Sequence, residues 1–433
     1  VAQKRHAWLV VAVLMFSVRA QANPLDTFGY TSADIAMGGG VTALAGSYDA
    51  CYYNPAGLAL LDGFDVGLGV QVFRPFLKSS INRLDASTGV IEPRQVSRGS
   101  TGTLFDLGIA SPIPLGKGLD RHLFWGIQAA FPGSTLYAVR ERPVQEAYFP
   151  FMEERNRRLV LNGALAGRWK WLMVGVGVSL LPNVYGRVDV DFTREGRANQ
   201  TEVDVKMNLS PNVGALVEPI PGLTVGLTWR GANRTHLSIP VNAVLSDKIA
   251  AIRLKVLAYD YSTPHQIALG LAYQKPGYRV AADVTYSMYR DFRQSAPSVL
   301  LYSSSADDKV IKETLVPDAN FRNSWAVRLG GEWRPVAALA LRAGFGWVQS
   351  PVPAQTGVTN FLDGDRYMGS IGLGFDAASV GGPPLSVDLH MQYAWMVGHR
   401  DAKTVFDPGN PGYPSVASEG WALNGGMTLR YRF

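Results

Sequence analysis

Residues 385–395 read LSVDLHMQYAW. Leu385, Val387, Leu389, Met391, Tyr393 and Trp395 fall on one side of an extended chain, and Ser386, Asp388, His390 and Gln392 on the other, because successive β side chains point to opposite faces. The segment therefore has one oily face and one polar face. The same period of two recurs upstream: Phe64, Val66, Leu68, Val70 and Val72 alternate with Asp65, Gly67, Gly69 and Gln71. Leu172, Val174, Val176, Val178 and Leu180 alternate with Met173, Gly175, Gly177 and Ser179, and Ile267, Leu269, Leu271 and Tyr273 with Gln266, Ala268, Gly270 and Ala272. A soluble sandwich with the oily face inside and a membrane barrel with the oily face outside both produce this pattern. Period alone does not choose between them.

The connections help to choose. Short turns fall at 169–170, 218–222, 274–277 and 335–336, with middling ones at 111–121 and 378–383. Long links fall between them at 74–100, 132–158, 291–323, 348–366 and 397–419. Long and short in alternation is what a barrel with outer loops and inner turns gives. Two intervals, 181–210 and 231–262, are ambiguous; each is assigned one outer loop, the first with a strand extension pairing Val188/Val190/Phe192 against Val203/Val205/Met207. Strands then start near 64, 102, 123, 159, 172, 203, 223, 263, 278, 324, 337, 367, 384 and 421. The fold class is an all-β transmembrane barrel of about 14 antiparallel strands, with 12 or 16 if a pair is miscounted.

Composition agrees with that class. Forty-six glycines, 18 tyrosines, 18 phenylalanines and 10 tryptophans suit one long β-structure. The formal charge of +6 falls to +3 once Lys4, Arg5 and Arg19 are set aside as part of a leader. No dense basic stripe with interleaved aromatics occurs, so nucleic acid is not an expected partner. Cys51 is the only cysteine, which excludes a disulfide framework or a thiolate zinc site within one chain. The histidines have no close ligand spacing, and no oxygen-ligand motif surrounds Asp307 and Asp308. Ser179 and His390 belong to no supported Ser/His/acid set. No catalytic residue, metal or cofactor is expected.

The polar face carries Asp65, Asp106, Glu202, Asp204, Lys206, Arg279, Asp283, Arg328, Glu332, Arg342, Asp376, Asp388, Arg430 and Arg432. A basic side chain at the bilayer midplane costs about 2–4 kcal/mol, so these charges belong in the lumen, paired with one another or with a plug. The last strand puts Trp421, Leu423, Met427, Leu429, Tyr431 and Phe433 on one face, interrupted by Gly425. Its terminal Phe433, with Tyr431, resembles the aromatic signal by which barrel assembly machinery recognises outer-membrane proteins.

Residues 1–22 read as a secretory leader: Lys4, Arg5 and His6, a short apolar run, then Ala20-Gln21-Ala22. Residues 23–62 are rich in small residues and turn formers and read as a plug, or hatch, ahead of a barrel at 63–433. Gly38-Gly39-Gly40 lacks the spacing and lysine of a phosphate cradle. Together with Val41, Asp49, Tyr53 and Asn54-Pro55-Ala56-Gly57-Leu58, the triple glycine resembles the hatch of the FadL-type long-chain fatty acid and hydrocarbon transporter family (OmpP1/FadL/TodX). The resemblance extends loosely to Phe433.

That resemblance implies a 14-stranded barrel in the Gram-negative outer membrane, with hatch and both termini toward the periplasm. It implies passive uptake of fatty acids or other hydrophobic small molecules, without a chemical step. It also implies a kinked third strand with a lateral gap; Pro132 and Gly133 are the candidate kink, though they equally well end the strand. Gly38, Gly39, Gly40, Asn54, Pro55, Ala56 and Gly57 are the candidate hatch residues. Leu136, Tyr137, Tyr148, Phe149 and Phe151 make the loop after that strand oily enough for a ligand groove, or for packing between loops. Arg140 and Arg142 are candidate contacts for a carboxylate or for lipopolysaccharide phosphates. A diffusion porin for polar solutes and a structural or assembly protein of the outer membrane are the alternatives.

Overall fold

Backbone inside hydrocarbon finds no water to bond, so a span built of strands must close its sheet. The computed structural model describes residues 27–433 except 86, 117–121, 134–136, 140–143, 153–155, 192–199, 245–251, 292–297, 303–309 and 314–316. Among the described residues, 14 strands form the wall: β1 (Asp65–Leu84), β2 (Gly102–Pro112), β3 (Leu123–Pro132), β4 (Val160–Trp169), β5 (Leu172–Asp191), β6 (Gln200–Ile220), β7 (Leu223–Arg230), β8 (Gln266–Lys275), β9 (Tyr278–Ser287), β10 (Ser324–Val336), β11 (Leu339–Val348), β12 (Arg366–Asp376), β13 (Leu385–Ala402) and β14 (Ser415–Arg432). Each pairs antiparallel with its neighbours. β14 returns to β1, with Asp65 opposite Arg432 and Ser80 opposite Ala417, which closes the wall into a barrel. No described helix is long and apolar enough to cross a membrane.

The alternation sorts as a membrane requires. Val66, Leu68 and Val72 are exposed while Asp65 and Gln71 are buried, and on β8 Leu269 and Leu271 are exposed while Ala268 and Ala272 are buried. A dry core of the valines and leucines, which a soluble sandwich needs, is not what these strands build. Exposed Trp169, Trp171, Trp333, Tyr278 and Phe433 gather at the short-turn rim, and Trp325, Tyr367 and Trp395 nearer the long loops, as the two aromatic girdles of such barrels do. Leu269 is 51% exposed in the middle of β8. Leu269→Arg is accordingly expected to cost about 2–4 kcal/mol of folding free energy, measured by equilibrium refolding into lipid vesicles. An unchanged value would place that side chain away from lipid.

The strands start within three residues of the expected positions, except the last, which begins at Ser415 rather than near Trp421. β13 and β14 run on past their tryptophans as a paired ribbon, with Ala402 opposite Ser415. There the environment no longer forces a strict alternation, so the pattern fades before the ladder does. In the 181–210 interval β5 and β6 extend as expected, but the pairs differ. Val203 opposes Gly186, Val205 opposes Val184, Met207 opposes Pro182, and Val188 opposes Thr201. The register is inherited without a break from Leu172 opposite Val217 in the wall; Phe192 lies outside the described residues. Asp204 and Lys206 stand exposed on this extension and not in the lumen. The 231–262 interval holds a hairpin, Asn233–Val244 against Ile252–Thr263, that lies beside the β5 extension.

Candidate functional site

The lumen is filled from one side by residues 27–62. Their short elements are α1 (Ser32–Ala36), α2 (Ala50–Tyr53) and a 3-10 turn, Pro55–Leu60. Asn54 begins the turn in extended backbone, and its Oδ1 accepts from Ala56 N at 3.1 Å while Pro55 fills the first helical position. Its Nδ2 donates to Thr42 O (2.9 Å) within the hatch and to Ala215 O (3.3 Å) on the wall. One fully buried amide thus caps a turn and ties the hatch to the barrel.

The wall is recessed to receive it. Gly175 of β5 lies opposite Gly214 of β6. A Cβ on Gly214 would sit 1.9 Å from Asn54 Oδ1, and one on Gly175 2.3 Å from the Pro55 carbonyl carbon. Gly57 is equally constrained, with Ala45 O 1.9 Å from where its Cβ would be. Gly38 and Gly39 have φ of +70° and +73°, a turn that L side chains resist. That turn presses on Gly330 and Gly344, whose added Cβ atoms would meet Met37 O at 2.4 Å and Gly38 N at 2.1 Å. Gly39 faces the side chain of Arg328, and Gly40 its backbone and Cβ.

Polar groups of the wall satisfy the hatch backbone. Thr42 N donates to Asp283 (2.8 Å), Ser32 N to Thr428 Oγ1 (2.9 Å), and the Asn212 amide donates to Cys51 O (3.2 Å). Tyr48 is buried over Gly67 and Gly108 and donates its hydroxyl to Asp106 at 2.9 Å. Burial, and after it the neighbouring charge of Asp49, pushes the Asp34 carboxyl well above the usual carboxylate range. It accepts from Thr31 Oγ1 at 2.7 Å. Burial likewise pushes the Cys51 thiol up, which leaves it an inert packed side chain.

The long loops close the other side. Tyr148 N donates to Asn360 O (3.2 Å) and Leu362 N to Tyr148 O (2.8 Å), joining the loop after β3 to the loop after β11. Asn360 also donates to Asn410 Oδ1 (2.6 Å), which brings in the loop after β13. Lys403 Nζ donates to Thr359 O at 2.6 Å, and burial draws its ammonium down to about 8. Beneath these ties, Phe151, Tyr289, Phe321, Phe361 and Tyr148 pack with ring centroids 5.1–6.4 Å apart. Thr27 Oγ1 donates to Phe151 O at 3.0 Å, so hatch and loop cap touch.

Between cap and hatch lies a chamber of 100 Å³, lined by Phe28, Tyr52, Tyr53, Phe151 and Tyr289 and by the polar Arg230, Gln266, Arg328, Arg366 and Gln392. A side space of 50 Å³ beside Tyr30 and Asn212 shares Tyr52, Arg230 and Gln266 with it. On the opposite, short-turn side of the hatch a cavity of 360 Å³ is bounded by Asp34, Asp49, Arg279, Arg342, Asp388 and Arg430. Its wall carries a chain of ion pairs: Glu332 with Arg342 (2.6 Å), Arg279 (2.7 Å) and Arg334 (2.8 Å), then Asp388 with Arg342 (2.6 Å) and Arg430 (3.2 Å). Asp65 pairs with Arg432 at 2.8 Å. Seven of the fourteen charges assigned to the lumen, Asp65, Arg279, Glu332, Arg342, Asp388, Arg430 and Arg432, are therefore paired there.

The sequence candidates separate into those brought together and those that are not. The glycines and the Asn-Pro-Ala-Gly turn meet at the hatch–wall seam. Tyr148 and Phe149 are 3% and 1% exposed, and form no solvent-facing groove; a water-exposed aromatic surface is unfavourable, and the loops fold these rings inward. Phe151 lines the chamber. Leu136, Arg140 and Arg142 lie outside the described residues, as do the side chain of Tyr137 and the whole leader. Pro132 is the last residue of β3 and Gly133 N still donates to Thr103 O (2.9 Å). The ladders of β3 run without a register shift, from Leu104 opposite Pro132 on one side and Ala130 opposite Val160 on the other. Tyr431 and Phe433 sit at the short-turn rim, and Phe433 exchanges backbone bonds with Phe64. Among the described residues no three His, Cys, Asp or Glu side chains group as a metal site. Arg366 escaped sequence reasoning, since nothing marks it within its loop.

The sequence model of the outer membrane protein transport protein family (OMPP1/FadL/TodX) matches residues 197–433. Among solved structures, a Pseudomonas aeruginosa FadL homologue superposes with a TM-score of 0.63 at 15% identity, covering 93% of this chain and 98% of that one. The P. putida toluene transporter TodX gives 0.58 at 15% identity, covering 94% and 99%. The CymD monoaromatic hydrocarbon channel gives 0.56 at 15% identity, covering 96% and 99%. No curated protein sequence matches. At such identities the structures establish a shared fold.

Proposed function

The chain belongs to the outer membrane protein transport family (OMPP1/FadL/TodX), and from that premise we propose that it carries hydrophobic small molecules, of the fatty-acid or hydrocarbon class, inward across the outer membrane. As a member of a transport family it is not an enzyme. The observation that carries the reading is the aromatic chamber held between loop cap and hatch. An apolar molecule gains about 0.8 kcal/mol for each methylene moved out of water, so such a space draws it in from the loop side. The neighbouring cap rings, Tyr148, Phe149 and Phe151, shield the path from water.

Release follows movement of the hatch into the charged inner cavity; the unbroken ladders of β3 favour this route over a gap in the wall. The hatch and both termini face the periplasm, where short turns belong. The oily wall fits outer-membrane lipid and lipopolysaccharide, and the Tyr431/Phe433 rim fits the barrel assembly machinery, as partners. A diffusion porin needs an open bore, which hatch and cap together oppose.

Mass spectrometry of organic extracts from protein purified out of outer membranes tests this reading. The expected result is a small hydrophobic compound at roughly one copy per chain, displaced by excess toluene or palmitate. An extract indistinguishable from that of an unrelated porin would contradict it.

A further inference from the structure

The chamber that the proposed uptake relies on is not purely apolar. Arg328 reaches it from β10 and Arg366 from the start of β12. Neither guanidinium forms an ion pair among the described residues. Among the described residues the Arg328 guanidinium makes one long hydrogen bond, 3.4 Å to Thr285 Oγ1. Arg366 is 6% exposed, its Nε has no acceptor, and its guanidinium lies 5.0 Å above the Phe151 ring. Of the two nearby acids, Asp363 accepts from Ser350 Oγ at 2.7 Å, and Asp283, across the ladder from Arg328 and also on the chamber wall, turns one oxygen to Thr42 N at 2.8 Å and stays outside ion-pair distance of the guanidinium. Burial pushes the Asp363 carboxyl up despite the opposing pull of Arg366, which weakens it as a counter-charge.

Elsewhere in the same lumen arginines are matched. Arg342 bridges Glu332 and Asp388, and Arg430 reaches Asp388. Arg230, at the edge of the chamber, donates to Gln266 at 2.7 Å and lies 4.4 Å from the Tyr52 ring centroid. A buried guanidinium without a partner is unfavourable, and its planar fork suits a carboxylate. Arg366, buried over the Phe151 ring, with the half-buried Arg328 on the same chamber, describes a ligand with an anionic end and a flat apolar body.

Size narrows the class. The chamber and its side space hold 100 and 50 Å³, whereas an apolar cavity of about 150 Å³ accommodates benzene. That scale suits a single ring better than a long alkyl chain. We propose that the chamber is a subsite for compact aromatic monocarboxylates of the benzoate class, with Arg328 and Arg366 holding the carboxylate and Tyr52 and Phe151 facing the ring. This rests on the uptake reading and names the cargo it favours.

Calorimetric titration of the purified full-length protein in detergent tests the subsite, using sodium benzoate, benzyl alcohol, toluene and palmitate as probes. Wild-type protein is expected to bind benzoate at least ten-fold tighter than neutral benzyl alcohol, a comparison that needs no variant. Arg328→Met and Arg366→Met should each weaken benzoate at least ten-fold and toluene less than three-fold, with folding checked by heat-modifiable gel mobility. Equal affinity for benzoate and benzyl alcohol, or tighter binding of palmitate than of benzoate, overturns the proposal. If toluene or palmitate crosses liposomes while benzoate neither binds nor crosses, the uptake reading stands and the subsite falls. If benzoate binds through both arginines but nothing crosses, the subsite stands and the uptake reading falls.

Discussion

Gly214→Val is expected to unseat the hatch and turn a closed barrel into a conducting one. The Gly214 Cβ position lies 1.9 Å from Asn54 Oδ1, so the valine side chain occupies the space of the amide. Asn54 then loses its bonds to Thr42 O, Ala215 O and Ala56 N, and each buried polar group left unmatched costs about 1–3 kcal/mol. The wall itself tolerates the change, since Gly214 has ordinary strand backbone and valine suits a strand. Planar-bilayer recordings should show stable conductance steps for the variant and a closed wild type. Gly369→Ala, where an added methyl meets nothing within 4 Å, is the matched control and should stay closed. A silent Gly214→Val barrel with normal folding would mean that the hatch is not held by this seam.

Glu332→Ala is the second large effect expected, and it acts on the wall. Glu332 is met by three guanidinium groups, at 2.6, 2.7 and 2.8 Å. Arg279 and Arg334 are partly open to solvent and contribute little, as exposed pairs do. Arg342 is as buried as Glu332 itself, and removing one member of a buried pair strands the other, at about 3–5 kcal/mol. Asp388 remains on Arg342 at 2.6 Å and limits the damage, which places the expectation near the lower end. Equilibrium urea unfolding from vesicles measures it, and Glu332→Gln should fall between wild type and alanine. A loss below about 1 kcal/mol for alanine would show that the cavity side of this pair is well hydrated.

Much of this architecture was legible because lipid imposes a strict rule on sequence. Leu269 and Ile371 must be oily and their neighbours may be polar, so alternation persists wherever hydrocarbon touches the wall. The rhythm of short and long connections then gave the strand count. Where that constraint ends, so does the legibility. The β5–β6 extension took its pairs from the register below it, not from the valines that attract the eye.

The candidate site divides in the same way. The Asn-Pro-Ala-Gly turn was visible because its chemistry is local: a cap, a fixed φ and a close approach. Its receiving surface, Gly175 opposite Gly214, joins residues far apart in the chain. The loop aromatics were legible as an oily load but not as a closed cap, since loops have no period to reveal an inward face. Which lumen arginines are matched depends on pairs such as Arg342 with Asp388 or Asp65 with Arg432. Only barrel closure brings those partners together, and only then do Arg328 and Arg366 stand out, among the described residues, as outside any ion pair.

Solute flux tests the central claim most directly. Liposomes containing the purified protein are given a panel of radiolabelled compounds: benzoate, toluene, palmitate, glucose and a small peptide. The account predicts accumulation of one or more aromatic or hydrophobic members well above protein-free vesicles, with glucose and peptide at background. Uniform leakage of every compound, or none above background, would contradict it.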